Sequence, residues 1–441
     1  MLRALGLRTP EQRAWALYDW ANSAFYTTVV TAVFPVWFQR VVAAERSPED
    51  ASFAFRATTT GALLVAALCA PLLGALADFL GARKRFLAAA TAVGILATLA
   101  LAFAGRGDVG LALGAFGIAS VAVTLAIVFY DSLLPSVARN DELDRVSAAG
   151  FALGYIGGGL LFAGNLALLA KPAWFGLDAA SAVSVAFVSV ALWWAIFALP
   201  LFRRVPEPVR ALERDERPAG RAFATAFTRL GETVRTLRGY KHAFLMLLAF
   251  LLYSDGINTI IRFATSFGAA KGIGDGAMMR ALLAVQLVGF PASLLFARLA
   301  ARITPKRALF LALAVYGVVC VFASRMDSEF DFWVLAMLVA LVQGGCQALS
   351  RSLFASMTPR HKSTEFFAFF SLSEKFGAVL GPLLLTLATS AGVPDALAIL
   401  SLAVFFVLGG LVLARVDVAA GRRAAAEAER ALVAAPTEST A

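Results

Sequence analysis

Residues 19–26 read Asp19-Trp20-Ala21-Asn22-Ser23-Ala24-Phe25-Tyr26, and 236 residues later the chain reads Asp255-Gly256-Ile257-Asn258-Thr259-Ile260-Ile261-Arg262. Both stretches break an apolar run with an acid, an amide, a hydroxyl and a fourth polar group at the same spacing. The acid, the amide and the last residue fall at i, i+3 and i+7, which on a helix is a single face. A second echo lies farther on. Asp131-Ser132-Leu133-Leu134 is matched by Arg351-Ser352-Leu353-Phe354 at an offset of 220, and the same offset carries Gly157 onto Gly377. The chain therefore reads as a duplicated unit, in which a first helix corresponds to a seventh and a fourth to a tenth.

Composition says what kind of unit this is. Of 441 residues, 60% are hydrophobic and 15% charged, at a mean hydropathy of +0.77, against about 25% charged in soluble domains. A soluble enzyme is excluded. About 265 apolar residues, at about 20 per crossing, supply roughly a dozen membrane spans. Apolar runs bounded by charge, Gly or Pro predict six helices at 14–42, 57–77, 86–104, 111–134, 148–170 and 179–201. Six more are predicted at 243–263, 278–301, 308–323, 332–350, 364–388 and 396–415. The expected fold is an all-α membrane protein of twelve transmembrane helices in two pseudo-symmetric six-helix halves. The halves are 1–201 and 242–416, joined by a cytoplasmic linker at 202–241 and followed by a cytoplasmic tail at 417–441. A parallel repeat of six spans, with cargo bound between the halves, is the architecture of a rocking secondary transporter.

The net charge of +10, from 39 basic and 29 acidic residues, would point to nucleic acid in a soluble domain. In a polytopic chain it reflects basic cytoplasmic loops, so no nucleic-acid partner is expected. With both termini inside, about 29 Lys and Arg fall on the inner side and about eight on the outer, which predicts an N-in, C-in orientation. The linker carries ten basic residues against five acidic ones. Its segment 222–230 has helical spacing and reads as a helix on the membrane surface. After Val416 the sequence reads as a frayed helix followed by disorder.

Cys69, Cys320 and Cys346 are scattered through apolar runs, and His242 and His361 stand at loop edges. No metal site, cofactor, disulfide framework or nucleophile–base constellation is expected, and so no enzyme. The expected partners are a small-molecule substrate, the lipid bilayer and protons, and the expected state is a monomer.

Polar residues inside the apolar runs are the candidate substrate-binding and coupling groups. Asp255 lies twelve residues into its predicted helix, about 18 Å deep at 1.5 Å per residue. A carboxylate at that depth marks a substrate or proton site by default. With Asp19, Asn22 and Tyr26 on the first helix go Asp255, Asn258 and Arg262 on the seventh, both stripes being expected to face one cavity. Gln343, Gln347 and Arg351 form a further stripe at i, i+4 and i+8, and Glu374 and Lys375 lie about 16 Å deep. Arg262 or Lys375 could hold a carboxylate and Asp255 or Asp19 an ammonium group. Burial would make Asp19, Asp255 and Glu374 proton carriers. Gly150, Gly154 and Gly158, spaced by four with Gly157 and Gly159 beside them, let helix backbones approach closely.

The loop after the second predicted helix reads Gly74-Ala75-Leu76-Ala77-Asp78-Phe79-Leu80-Gly81-Ala82-Arg83-Lys84-Arg85. Gly81 allows a tight turn and three cations hold the loop inside. The counterpart at 296–307 keeps Lys306 and Arg307 but lacks the glycines and the acid. Gly74, Asp78, Gly81, Arg83, Lys84 and Arg85 are gating candidates. Asp131 and Arg351, oppositely charged at equivalent positions, are expected to meet where the inner ends of the halves close. Asp78 is expected at the helix start marked by Ser363 and Thr364, with Glu365 engaging Arg83 or Arg85.

This loop resembles the signature of the major facilitator superfamily, and the glycines at 150–159 resemble its antiporter signature, with Tyr155 where a proline is usual. The segments AWALYDWANSAFYTTV (14–29), YDSLLPSVA (130–138), DRVSAAGFALGYIGGG (144–159) and QGGCQALSRSLFASMTPRHKSTEFFAFFSLSEKFGAVLGP (343–382) are similar to the vacuole effluxer-like, autophagy-related branch of that superfamily. The resemblance implies export of amino acids as the eukaryotic role, hence an amino acid as cargo. The Arg-heavy usage and short termini point to a bacterial inner membrane. Two other functions compete: a sensor or scaffold that keeps the fold without transport, and a lipid transporter of the same fold. Matched gating candidates in both halves favour transport over a scaffold.

Overall fold

The computed structural model describes residues 2–208, 239–270 and 273–433, apart from the side chains of 262–270, 275, 375–379, 395 and 433. The surface helix expected at 222–230 and the last eight residues lie outside the described residues. The described chain is helical and antiparallel from one long element to the next. In chain order the helices are α1 (Pro10–Ala24), α2 (Pro48–Leu80), α3 (Arg83–Leu101), α4 (Val109–Ser132), α5 (Leu143–Ala170) and α6 (Ala179–Arg204). They continue as α7 (Lys241–Ala270), α8 (Asp275–Ile303), α9 (Pro305–Ala323), α10 (Glu329–Ala355), α11 (Ser363–Ser390), α12 (Ala403–Ala414, preceded by Asp395–Ser401) and α13 (Val418–Val433). Ten of these, α2–α10 and α12 with its preceding turns, are long and apolar enough to cross a membrane.

α1 is set apart by its own sequence. It opens on a capping box, in which the Gln12 N–H donates to Thr9 Oγ1 at 3.2 Å and the Gln12 side chain answers the Thr9 N–H, with Pro10 as first helical residue. Beyond Ala24 the expected continuous helix, whose residues to Val42 are counted with α1, loosens into π-helical Phe25–Val33, a short α-turn at Phe34–Trp37 and π-helical Phe38–Val42. A run of β-branched residues, Thr27 to Thr31, and Pro35 stand in this stretch, and both residue types disfavour a regular α-helix. The Thr31 hydroxyl donates to the carbonyl of Tyr26, five residues back, at 2.8 Å.

Helix packing follows a rule visible in the pairs themselves. In the first six helices α1 packs on α5 and α6, α2 on α4, and α3 on α4 and α6; the same pairs recur six helices on, as α7 on α11 and α12, α8 on α10, and α9 on α10 and α12. Across the middle, α5 meets α8 and α10 just as α11 meets α2 and α4. The bundle therefore has a pseudo-twofold arrangement, with its cross-contacts made by second, fourth and fifth helices of each set.

The segment after Val416 differs from the frayed tail expected. α13 is Ala-rich, which favours helix, and it is docked. Arg422 Nε donates to Ser356 Oγ at 3.2 Å, the Arg360 N–H donates to Glu429 Oε1 at 3.0 Å, and the Asp417 N–H donates to His242 Nδ1 at 3.0 Å. Asp417 also accepts from the Ala420 N–H at 2.9 Å, and that bond, the main cause, holds its carboxyl below the usual range.

Candidate functional site

A cavity of about 320 Å³ lies between the two sets of helices, near the lower end of small-molecule pockets, about 300 to 1,000 Å³. Its walls carry Asp19, Asn22 and Tyr26 from α1, Asp131 from α4, Gln343, Gln347 and Arg351 from α10, and Glu374 from α11. The stripes on α1 and α10 thus meet in one space. Tyr155 and Phe151 from α5, Gln286 from α8, Phe250 from α7 and Phe370 from α11 complete it. These were missed in the sequence, although Gln286, a lone amide in an apolar run, carried a signal.

Asp255 and Asn258 do not line this cavity among the described residues, which corrects the expectation that both stripes face it. α7 turns Phe250 inward, and Asp255, five residues on, points about 140° away at about 100° per residue. Asp255 is 0% exposed, and the neighbouring Gly256 sits against Phe405 and Phe406 of α12. The side chains of Arg262 and Lys375 lie outside the described residues, so the cationic ends proposed for the cargo are not placed.

At one end of the cavity, cross-contacts between the two sets cluster around Arg351. Its Nη1 donates to Asp131 Oδ1 at 2.8 Å, its Nη2 to Asp19 Oδ2 at 3.3 Å, and its Nε to Ser147 Oγ at 2.9 Å. Nη2 also reaches the Ser147 carbonyl at 3.0 Å, and Ser147 Oγ donates to the Ala348 carbonyl at 2.8 Å. The guanidinium sits 4.8 Å from the Trp15 ring and 4.4 Å from that of Phe151, a geometry that favours a desolvated cation. Asp19 accepts a second bond from the Tyr130 hydroxyl at 2.8 Å. The glycine run makes this possible, since a methyl group at Gly150 would collide with Asp19, and one at Gly154 with Ser23.

A second cluster joins α2 to α11. Asp78, 4% exposed, accepts from the N–H groups of Thr364 and Glu365 at 2.9 and 3.0 Å, a carboxylate on a helix N-terminus. Its other oxygen takes Arg83 Nε, and Arg83 Nη2 donates to the Arg360 carbonyl at 2.7 Å. Arg83, expected to meet Glu365, is thus committed to Asp78 and Arg360, while Arg85 is exposed. Ser363 and Thr364 bond Ser132 of α4. Gly81 ends α2 with φ of +60°, and Gly74 lies beneath the Thr364 carbonyl, leaving no room for a larger residue. Lys84 turns away from the seam: its Nζ donates to the Val205 carbonyl at 2.8 Å and its N–H to Glu207 at 2.7 Å.

The family described as "Vacuole effluxer Atg22 like" matches residues 44–426. The chain belongs to that family. Among curated relatives of this Atg22-like chain, the MFS-type transporter YxiO of Bacillus subtilis (strain 168) is 36% identical over 409 residues, covering 92% of this chain and 94% of YxiO. Autophagy-related protein 22 of Yarrowia lipolytica is 27% identical over 273 residues, 55% of this chain and 45% of that protein, so the chain spans about half the length of this fungal relative. Among solved structures, the human organic anion transporter MFSD10 (TETRAN) superposes with TM-score 0.69 at 14% identity, covering 92% of this chain and 100% of that one. FucP in the outward conformation does so with TM-score 0.66 at 12% identity, over 92% and 98%. The Atg22-like chain is thus an integral multi-pass membrane protein with the major facilitator fold, a secondary transporter and not an enzyme.

Proposed function

We propose that this chain moves a small polar or zwitterionic solute, an amino acid, by alternating access driven by protons. In this reading twelve spans, α1–α12, form two halves, 1–201 and 242–416, with both termini, the linker 202–241 and the tail 417–441 in the cytoplasm of a bacterial cell and the protein monomeric in its inner membrane. The closed end with Asp78 and Arg351 is then the cytoplasmic gate. With that end closed, the state in this reading is outward-facing. Asp131, Arg351, Glu365, Gly74, Asp78, Gly81 and Arg83 form the gate, while Asp19, Asn22, Tyr26, Gln343, Gln347 and Glu374 hold cargo.

The observation that carries this reading is the cavity itself. It is walled from both halves, lined with carboxylates and amides, and stoppered at one end by bonds between the halves. Asn22 adds chemistry. It borders the cavity, and its amide nitrogen is buried with no hydrogen-bond partner among the described residues, a donor for which a cargo acceptor such as a carboxylate supplies the missing bond. Asp19 or Glu374 answers an ammonium group. Lys375 retains its proposed role at the cargo's carboxylate, and Asp255, buried away from the cavity, a role in proton coupling alone.

Counterflow in proteoliposomes across amino acids, peptides, sugars and lipids tests the cargo. Exchange of amino acids supports the reading, and movement of lipid alone replaces it. Flux that ignores both an imposed pH gradient and a protonophore rejects proton coupling.

A further inference from the structure

Arg351 stands on α10, yet the bonded and aromatic partners described for its guanidinium lie on the other set of helices. These are Asp19 and Trp15 on α1, Asp131 and Tyr130 on α4, and Ser147 and Phe151 on α5. At 3% exposure it is the plug of the seam. One cation thus serves two carboxylates, and it serves them unequally: 2.8 Å to Asp131 against 3.3 Å to Asp19. Asp19 borders the cavity one helical turn from Asn22, the proposed cargo donor.

The groups facing Asp19 favour a second positive charge. Arg351 of α10 and Tyr130 of α4 bond it, Asp131 of α4, Tyr155 of α5 and Glu374 of α11 line the same cavity, and Tyr18 and Tyr26 flank it along the chain. α6, packed behind α1, presents the rings of Trp193 and Phe202. Asp19 and Asp131 therefore share Arg351, and a positive charge entering the cavity lowers the repulsion between them.

We infer that Asp19 transmits loading to the gate: a positive charge arriving there, a proton or the ammonium end of the cargo, takes the place of Arg351 on the carboxylate and loosens its hold on the first half. Arg351 then keeps one counter-charge instead of two, and the closed arrangement loses its advantage over the open one. A ligand shifts such an equilibrium only through interactions that differ between the states, and the Asp19–Arg351 pair is such an interaction. By reciprocity, closing the gate weakens binding of the charge at Asp19. This inference rests on the transport reading for its cargo, but its test is read without flux.

The test uses the full chain in nanodiscs, with Cys69→Ala, Cys320→Ala and Cys346→Ala, and a reporter Ala355→Cys. Ala355 is 3% exposed at the end of α10, in a crevice shared with Pro135 and Asn140 across the seam. Maleimide labelling of the reporter is expected to be at least about fivefold faster in Asp19→Asn than in the parent. Labelling at the parental rate in Asp19→Asn, while Arg351→Gln labels faster, overturns the inference. Two further arms use the parent and so need no substitution at Asp19. Acidification that speeds labelling relative to free cysteine at the same pH identifies a proton as the charge; leucine that speeds it where N-acetyl-leucine does not identifies an ammonium group. A parent that responds to neither overturns the inference. Fast labelling of Asp19→Asn without counterflow by the wild-type chain would remove the transport reading and keep the switch.

Discussion

α1 and α7 hold equivalent places in the packing pattern and share the acid–amide–hydroxyl spacing, yet they meet the cavity in opposite ways. α1 lines it with Asp19, Asn22, Ser23, Tyr26 and Thr27, whereas α7 offers Phe250 alone among the described residues. The hydroxyls behave alike. Ser23 lies against Gly154 and Gly158 of α5, and Thr259 lies against Gly381 of α11. The acids do not, for Asp19 is at the cavity and Asp255 is buried away from it. The two sets share the small-residue seams that let helices approach and differ in where their acids stand.

The strongest way to break this asymmetry is to remove the cation that only one half receives. Arg351→Gln leaves Asp19 and Asp131 buried without it, and breaking a buried pair from one side costs about 3 to 5 kcal/mol. Flux is expected to vanish and the gate end to become accessible. A double-mutant cycle with Asp131→Asn should return a coupling of about 1 to 3 kcal/mol; additive effects would take Asp131 out of the gate.

The second test asks whether the divergent acid still matters. Asp255→Asn keeps size and hydrogen bonding while removing a charge that is expensive at this depth. The variant should express and fold with transport abolished. Wild-type uptake would confine the chemistry to the α1 stripe.

A milder effect is expected at the second seam. Asp78→Asn retains an acceptor for the Thr364 and Glu365 N–H groups but loses the charge, worth about 0.3 to 2 kcal/mol at a helix N-terminus, and with it the buried pair to Arg83. Labelling of a cysteine at the gate end should rise severalfold, less than with Arg351→Gln. A larger rise would make α2–α11, not α10, the stronger seam.

The smallest effect compares the two equivalent loops. Gly81 adopts positive φ without a side-chain penalty, but in the second half Thr304 takes φ of +89°, a costly conformation for a β-branched residue. Thr304→Gly should stabilise the protein by up to about 1 kcal/mol, since glycine at a cap costs only a few tenths. Thermal unfolding in detergent reads this, and a lower midpoint would mean that the Thr304 cap on Arg307 outweighs the strain.

Much of this was legible in the sequence. Apolar runs located the helices, and periodicity put Gln343, Gln347 and Arg351 on one face because spacing fixes angles within a helix. Spacing does not fix the rotation of a helix about its own axis, which is why Asp255 read as a partner of Asp19. Nor does it reveal aromatic partners from other helices. Trp15, Tyr130 and Phe151, which enclose Arg351, resemble ordinary core residues until the helices are assembled. The π-helical continuation of α1 was equally hidden, since hydropathy is the same for either winding.

Lys84 starts α3 and bonds the carbonyl at the end of α6; Lys306 starts α9 and bonds the carbonyls of Ala414 and Val416 at the end of α12. Each set of six is thereby clasped, its third member to its last, at the face where the chain enters and leaves. A string of helices so fastened turns as a lever instead of fraying when pushed. Motion at the seam is then delivered whole to the far mouth, and the two lysines, remote from any cargo, set how stiffly it arrives.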